Sequence, residues 1–140
     1  MMKALDLARY IIYRCAEENE PISNLQLQKI LYFIQVAFLQ KKNRPAFEEN
    51  VEAWQFGPVV PGVYYNFSGY GGMKIPVSEG EYTDVACEDE IDEICRNSIS
   101  KEPWELVEIS HEKGKPWDRI YKNGEGLRDI IDQDTIKKYG

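Results

Sequence analysis

Few residues of this 140-residue sequence have the chemistry of a catalytic or metal site, and those few are widely spaced. His111 is the only histidine, which excludes a metal centre built from several imidazole ligands. A zinc site built from Cys15, Cys87, Cys95 and His111 would need four scattered ligands, and none of the cysteines belongs to a C-x-x-C pair. A Cys–His nucleophile pair stays open because such residues meet in space, although Cys15 and Cys95 fall on apolar faces of predicted helices, where thiols are usually inert. We therefore predict no catalytic residue, no metal site and no cofactor.

The position of His111 predicts a structural role. It lies at the end of a predicted helix, where a protonated imidazole would interact favourably with the negative helix end. We expect it to cap that helix or to pack against Trp117 rather than to take part in catalysis. Trp104 and Trp117 are likewise predicted to anchor the core, as large aromatic residues usually do.

Six aromatic residues are concentrated in the 22-residue stretch Val51–Gly72, which contains no lysine or arginine and a single acid, Glu52. Aromatic platforms for nucleic acids need cations beside them to neutralise the phosphates. The stretch therefore predicts either a packed structural corner or a surface that grips a partner, and not a nucleic-acid platform. Within it, Trp54 and Phe56 are expected to divide between the two faces of a sheet, with at most one of them exposed.

The net charge of −7 is concentrated in residues 73–100, where eight acidic residues stand against Lys74 and Arg96. Acidic surface repels nucleic acids and anionic membranes, and it attracts basic proteins. We expect part of this block to open a helix, where the macrodipole favours acidic side chains. Attraction of a basic protein partner is the second interpretation.

Length, hydropathy and cysteine usage predict a single cytoplasmic domain over residues 1–140. No run of about 18 apolar residues is present that could span a membrane. The N-terminus lacks the apolar core and the cleavage site of a signal peptide. The odd number of cysteines at unpatterned spacing fits reduced thiols better than a disulfide framework.

Hydrophobic periodicity predicts an α+β fold that is mainly α, a compact helical domain with a small antiparallel sheet of two or three short strands. Ser23 and Gln26 form a predicted capping box before a central helix, and Ser100 and Asp132 are expected to cap two later helices. The first strand is expected to end at Gly57-Pro58. The predicted helices cover Lys3–Glu18, Asn24–Lys42, Pro61–Phe67, Glu88–Asn97, Ser100–His111, Lys115–Lys122 and a last one ending near Tyr139, and the predicted strands cover Val51–Phe56, Met73–Val77 and Leu127–Ile131.

Two helices joined by a short turn and followed by a strand are loosely typical of a winged helix-turn-helix. The second helix, Asn24–Lys42, contradicts this interpretation, because beyond its first turns it is too apolar to lie in a DNA groove. The net charge of −7 is also opposite to that of the usual basic DNA-binding domain. A winged-helix-type DNA-binding regulator is therefore the weakest of the functions weighed.

Three blocks of the sequence follow one another in a recognisable order: LQLQKILYFIQ at Leu25–Gln35, VEAWQFGPVVPGVYYNFSGYG at Val51–Gly71, and ISHEKGKPWDRIY at Ile109–Tyr121. Together they resemble the Panacea domain family, which includes SocA-like and phage-associated proteins of bacteria and mobile elements. The second block is the most specific. The candidates for family-motif or partner-binding residues are Trp54, Gly57, Pro58, Tyr64, Tyr65, Tyr70, His111 and Trp117.

The resemblance implies a non-enzymatic protein-interaction domain. Members of the family often act as antitoxins of toxin–antitoxin pairs, and some act as proteolytic adaptors that present a partner to a protease. The implied partner is a cognate protein, either a toxin or a protease component. The acidic block would favour a toxin that is basic. The alternative that the residues themselves leave open is a small enzyme or ligand-binding domain centred on His111.

Overall fold

One long helix lies at the centre of the computed structural model, which describes residues 2–77 and 89–140. The described residues form seven α-helices and one three-stranded antiparallel sheet, so the predicted α+β fold, mainly α, is confirmed. None of the helices in these two ranges is both long enough and apolar enough to cross a membrane. The helices are α1 (Ala4–Glu17), α2 (Asn24–Lys42), α3 (Pro61–Phe67), α4 (Asp89–Ile99), α5 (Pro103–Ser110), α6 (Pro116–Tyr121) and α7 (Gln133–Tyr139), the strands are β1 (Val51–Trp54), β2 (Gly57–Val59) and β3 (Ile130–Ile131), and short 3-10 helices cover Ser68–Tyr70 and Lys122–Gly124.

Helix α2 is the centre of the fold because its surface is apolar on more than one side. Its residues Leu27, Leu31 and Phe38 are fully buried, and α1, α4, α5 and α7 pack around it together with β2. It begins at the predicted capping box, in which the Ser23 hydroxyl accepts the Gln26 backbone N–H at 3.4 Å and the Gln26 side chain accepts the Ser23 N–H at 2.9 Å. The predicted bounds of this helix are confirmed at both ends.

Strands β1 and β2 form a tight hairpin, which corrects the prediction of one strand over Val51–Phe56. Trp54 pairs with Gly57, so two residues make the turn, and the expected strand terminators Gly57 and Pro58 instead begin β2. Gly57 has a φ of +116°, a conformation that other residues rarely adopt, and it thereby lets the chain reverse direction. Pro58 lacks an N–H, but β2 is an edge strand in the order β2-β1-β3, where proline is tolerated.

Strand β3 covers the other edge of β1, with Ile131 opposite Val51. The predicted strand Leu127–Ile131 is confirmed only in its last two residues, because the chain before them folds into turns in which residues 127 and 129 donate to the carbonyls of residues 124 and 126. The predicted cap directly after the strand is confirmed, since the Asp132 carboxylate accepts the N–H of Thr135 at 2.8 Å and begins α7.

The predicted strand Met73–Val77 is wrong. Lys74 forms an isolated bridge with Ser23, and the neighbouring Ile75 is buried and donates its N–H to the Ile22 carbonyl at 2.8 Å. These contacts fasten the segment beside the start of α2. A strand needs a longer run of paired backbone, and the described residues provide no such partner here.

Ser100 does not cap α5, contrary to the prediction. Its hydroxyl donates to the Asn97 carbonyl at 2.7 Å and so belongs to the end of α4. Helix α5 begins later, at Pro103, with Glu102 as its N-cap residue, whose N–H donates to the Glu105 carboxylate at 3.2 Å. Proline fits the first helical position because that N–H has no partner within the helix.

The acidic block of residues 73–100 lies partly outside the described residues, and this includes Glu88, where the sequence predicted a helix start. The described portion agrees with the expectation for acidic side chains at a helix N-terminus. Helix α4 carries Asp89, Glu90 and Asp92 in its first turn, where the macrodipole favours negative charge.

Candidate functional site

The second and third sequence blocks meet through the indole of Trp117. Its Nε1 donates a hydrogen bond to the backbone carbonyl of Trp54 at 2.8 Å, which fastens α6 to the β1–β2 hairpin. The His111 imidazole stacks on the same indole, with ring centroids 3.7 Å apart and planes at 4°. Tyr121 stacks as well, at 4.4 Å. The predicted packing of His111 against Trp117 and the burial of Trp117 are both confirmed.

Lys29 of α2 is buried beneath the hairpin. Its side chain is fully excluded from solvent, and its Nζ donates to the Pro58 carbonyl at 3.2 Å. A Cβ on Gly57 would lie 2.7 Å from Lys29 Cε and 2.8 Å from the Ser110 hydroxyl, so only glycine fits above this amine. Burial disfavours the charged ammonium and lowers the pKa of Lys29 to about 7.

His111 caps the end of α5 through its backbone N–H rather than through the side chain that the sequence suggested. Its N–H donates to the carbonyls of Val107 and Glu108. Burial, and then the charge of Lys29, lower the pKa of the imidazole, while a hydrogen bond with the Phe56 backbone opposes them. The lowered pKa favours the neutral form of the ring, which packs against Trp117. Its Nε2 is buried and has no hydrogen-bond partner among the described residues.

A half-open groove of about 400 Å³ lies between the start of α2, the hairpin turn, α3 and the chain before β3. Its volume falls in the range of small-ligand sites. Lys29 lines the groove and Arg128 stands on its wall, and none of the described lining residues is acidic. The rest of the lining is largely apolar or aromatic and includes Trp54, Phe56, Val59, Tyr64 and Leu127.

The aromatic wall of the groove is fixed by several contacts to one indole. The ring of Trp54 meets Tyr64 edge-on at 5.0 Å and Tyr65 at 5.9 Å, and its Nε1 donates to the Glu52 carboxylate at 3.0 Å. Arg128 lies over the same ring, with Cζ 4.5 Å from its centroid, and donates from Nη1 to the Tyr65 hydroxyl at 3.2 Å. The wall is therefore organised before any partner arrives.

Two buried amides tie the first turns of α2 to the elements around the groove. Asn24 donates from Nδ2 to the Tyr64 carbonyl at 3.0 Å and accepts from Gln28 Nε2 at 3.0 Å. Gln28 in turn accepts the N–H of Val60 at 2.9 Å. These polar groups satisfy backbone atoms of α3 and the end of the hairpin that burial would otherwise leave without partners.

Beside the groove, aromatic side chains remain exposed. Phe56, in the hairpin turn, is 49% exposed and packs at 6.1 Å against Trp104, which is 56% exposed. The predicted core role of Trp104 is therefore wrong. The expectation that at most one of Trp54 and Phe56 is exposed is confirmed, but their division between two sheet faces is wrong, because Phe56 lies in the turn and not on the sheet.

The structure brings most of the motif residues to one place and adds two that the sequence did not single out. Tyr65 and Tyr70 are exposed, Tyr70 in the 3-10 helix between two groove-lining residues. Lys29 and Arg128 were missed. The only signal for Lys29 was a cation inside an otherwise apolar helix. Arg128 is positioned by a left-handed backbone conformation (φ +69°), which its residue type does not predict. The residues brought around the groove and the buried amine are Trp54, Gly57, Pro58, Tyr64, His111 and Trp117.

Metal-ligating side chains do not gather within residues 2–77 and 89–140, where no group of three or more histidine, cysteine, aspartate or glutamate residues could hold an ion. Cys15 and Cys95 are buried in contact with each other between α1 and α4, whereas His111 lies at the end of α5. Cys87 lies outside the described residues.

Comparison with known proteins places these features in a family. The model of the family described as "Antitoxin SocA-like, Panacea domain" matches residues 27–118, a range that includes the buried Lys29 and the stacked Trp117. The chain is also 36% identical over 135 residues to the protein named "Antitoxin SocA" from Caulobacter vibrioides, and this match covers 86% of the chain and 70% of that relative. No solved structure gives a significant match. The chain belongs to the antitoxin SocA-like Panacea domain family.

Proposed function

We propose that this protein is an antitoxin that neutralises a cognate toxin by binding it directly, without a catalytic step. Membership of an antitoxin-like family supports the class of function. The observation that carries the binding part is the pair of large aromatic side chains, Phe56 and Trp104, which remain about half exposed next to the groove. Exposed aromatic surface of this kind is typical of protein–protein contacts.

The scaffold beneath this pair favours its use as an interface. Phe56 projects from a two-residue turn whose next residue, Gly57, packs over Lys29. Trp104 lies in the first turn of α5, which contacts both β2 and α2. Side chains that are already positioned lose little conformational freedom on binding, so more of the contact energy appears as affinity.

The negative charge of the chain suggests how a partner is attracted from a distance. The net charge is −7, and the described part of the acidic block presents Asp89 and Glu93 on α4 as exposed side chains. Such a field speeds association with a basic toxin and weakens as salt is added. A partner that is basic overall fits this distribution.

The proposal also places the protein in the cytoplasm. Cys15 and Cys95 are free thiols in hydrogen-bonding contact, and this contact together with burial raises the pKa of Cys95. Two thiols this close remain reduced most readily in a reducing compartment.

Co-expression tests the function. Each gene flanking the one for this chain is induced alone and together with it, and we expect one of them to arrest growth only when alone. Purified toxin should then bind the chain, and Trp104→Ala should weaken that binding by about thirtyfold, the loss typical of an interface hot spot. Toxin abundance is followed in the same cells, because neutralisation by binding leaves it unchanged, whereas delivery to a protease lowers it.

A variant on the same helix controls for general damage to α5. Ile109 is 37% exposed and lies five residues after Trp104, so at about 100° per residue it faces another direction. Ile109→Ala should bind the toxin as the wild type does. If no flanking gene is toxic and none of their products binds the chain, the proposed function is wrong.

A further inference from the structure

We propose that Lys29 and His111 act as a pH-sensitive switch beneath the β1–β2 turn, which they hold closed while both side chains are uncharged and let open when they take up protons. The inference rests on the proposed function, because it names a regulation of the aromatic pair Phe56 and Trp104, which would contact the toxin. It is carried by the position, the burial and the hydrogen bonds of the two side chains.

Both side chains contact the turn that carries Phe56. The Lys29 Nζ donates to the Pro58 carbonyl at 3.2 Å, and a Cβ on Gly57 would lie only 2.7 Å from Lys29 Cε. The His111 ring forms a hydrogen bond with the backbone of Phe56. One amine and one imidazole therefore hold three consecutive residues of the hairpin, 56 to 58, from beneath.

Protonation of Lys29 adds hydrogen-bond donors for which the closed turn has too few acceptors. An ammonium group carries three N–H donors, and the acceptor that the described residues offer to Lys29 is the Pro58 carbonyl. The side chain is fully excluded from solvent, and this burial lowers its pKa to about 7. A turn that opens far enough to admit water would solvate the charge, so a lower pH favours the open form.

His111 responds to pH in the same direction. Burial, and then the charge of Lys29, lower the pKa of its imidazole. Its Nε2 is buried and has no hydrogen-bond partner among the described residues. An imidazolium carries an N–H on each ring nitrogen, so protonation would leave a buried donor without an acceptor, close to a charged amine. The charged forms of both side chains therefore make the closed turn less stable.

Acidic side chains do not offset these two charges. Within residues 2–77 and 89–140, no carboxylate contributes to the pKa shift of Lys29 or of His111. From α5, the polar group beside the amine is the Ser110 hydroxyl, which donates to a backbone carbonyl of its own helix. The charged residues that follow the imidazole along the chain, Glu112 and Lys113, are exposed. The two titrating groups that face each other are thus the amine and the imidazole.

The two titrations set the pH range of the switch. The pKa of Lys29 is about 7 in the closed turn and would return to the ordinary 10.5 in the open one. The open fraction therefore rises as the pH falls from 10.5 to 7, by up to about tenfold per pH unit, and then levels off. The pKa of His111 lies below its ordinary 6.5 in the closed turn, so further opening begins below pH 6.5.

Amide hydrogen exchange tests the switch without any partner. The reporter is the Val60 N–H, which directly follows β2 and donates to Gln28 Oε1 at 2.9 Å. The internal control is the Ala46 N–H, which is also buried and donates to Gln35 Oε1 at 2.8 Å, after the other end of the same helix. Once the intrinsic exchange rate is removed, opening at Val60 should increase about tenfold from pH 8.5 to pH 7, and opening at Ala46 should stay constant.

Variants assign this response to the two side chains. Lys29→Met should lose the pH dependence of Val60 opening, because methionine is of similar length and binds no proton. Lys41→Met is the matched control, since Lys41 lies on the same helix but is exposed, and it should respond as the wild type does. His111→Phe keeps a ring to stack on Trp117 and should lose only the further opening below pH 6.5. Circular dichroism shows whether each variant is folded, and His111→Phe decides the test if Lys29→Met does not fold.

The imidazole gives a second, spectroscopic measurement of the coupling. His111 is the only histidine, so the NMR signal of its ring can be followed through a pH titration without ambiguity. In Lys29→Met its pKa should rise toward 6.5, because the lysine charge that lowers it is gone. In Lys41→Met it should stay at the wild-type value.

Toxin affinity then connects the switch with the proposed function. From pH 8.5 to pH 7 the affinity of the wild type should fall by up to about tenfold, in proportion to the closed fraction, and Lys29→Met should show no such fall. Equal pH dependence of Val60 opening in the wild type and Lys29→Met would overturn the inference. An equal response at Ala46 would also overturn it, since the whole domain would then be unfolding.

The proposed function and the switch can fail separately. If a toxin binds and its affinity depends on pH equally in the wild type and Lys29→Met, the regulation is wrong and the proposed function stands. If no flanking gene encodes a toxin, the proposed function is wrong, and hydrogen exchange and the histidine titration still decide the switch.

Discussion

Two buried polar side chains of α2 differ in how completely their hydrogen bonds are satisfied. Gln35, in the second half of the helix, donates to the Phe47 carbonyl at 2.9 Å and accepts the Ala46 N–H at 2.8 Å. Lys29, in the first half, has the Pro58 carbonyl as its acceptor. Both side chains are essentially excluded from solvent. Gln35 thus pairs both its donor and its acceptor with backbone atoms. The Lys29 amine has more N–H donors than the single carbonyl it bonds.

This difference separates a buried side chain with a complete set of hydrogen bonds from one with an incomplete set. The Gln35 amide replaces backbone pairing for the chain after α2, where burial would otherwise leave an N–H and a carbonyl without partners. The Lys29 amine is instead sealed beneath the hairpin, next to Gly57 and the Pro58 carbonyl. Buried groups with unused donors or acceptors make folding less favourable, and burial also lowers the pKa of Lys29.

The largest expected effect concerns the charge on Lys29. Burial lowers its pKa to about 7, against 10.5 for an ordinary lysine. Between these values the unfolded chain binds a proton that the folded chain has released, so stability rises with pH across this window. Between pH 7 and pH 10.5 we expect the wild type to gain about 4 kcal/mol relative to Lys29→Met, measured by urea denaturation at each pH.

The comparison with Gln35 supplies the control for this titration. Gln35→Leu retains Lys29 and removes no titrating group, so its stability should differ from that of the wild type by the same amount at every pH. A flat difference between the wild type and Lys29→Met over the same window would mean that the amine is solvated in the folded protein, and the contrast between the two side chains would be lost.

The next effect comes from filling the space above Lys29. In Gly57→Ala the new Cβ would meet Lys29 Cε at 2.7 Å and the Ser110 hydroxyl at 2.8 Å, at a φ of +116°. Steric overlap and backbone strain together should lower the free energy of unfolding by about 3 kcal/mol in urea denaturation.

Gly62→Ala is the matched control for that change. Gly62 lies in α3, has no atom within 4 Å of a new Cβ and needs no positive φ. Alanine is the better helix former, so this variant should be unchanged or more stable by about 0.5–1 kcal/mol. Equal destabilisation by the two substitutions would contradict the close packing of Gly57 over the amine.

Helix α2 could be predicted from sequence to its terminal residues, and the hairpin beside it could not. Local residues mark both ends of the helix. The Ser23–Gln26 capping box marks its start, and Asn43, which adopts the left-handed conformation, marks its C-terminus. Gly57 and Pro58 are local signals as well, but they serve equally to end a strand and to begin an edge strand after a turn. Whether Gly57 ends one strand or begins the next is decided by its pairing with Trp54 of β1. The packing of this turn over Lys29, which is distant in sequence, also contributes.

The aromatic part of the candidate site could be predicted because residue type and spacing mark it. Trp54, Tyr64, His111 and Trp117 belong to blocks with a family pattern, and the fold brings them together. The cationic part could not be predicted. Lys29 is one charge on an apolar helix, and a surface lysine would look the same in sequence. Arg128 reaches Trp54 through a turn that hydrophobic periodicity does not encode.

The smallest of these effects concerns Gln35, the buried side chain whose hydrogen bonds are complete. Gln35→Leu keeps a similar volume but leaves the Ala46 N–H and the Phe47 carbonyl buried without partners, which should lower the free energy of unfolding by about 2 kcal/mol. Gln40→Leu is the control, because Gln40 lies on the same helix but is exposed, and water can replace its hydrogen bonds to residues 137 and 140. Urea denaturation at pH 7 measures both. Equal losses of stability in the two variants would contradict this account, because Gln35 differs from the exposed Gln40 in that it satisfies buried backbone atoms.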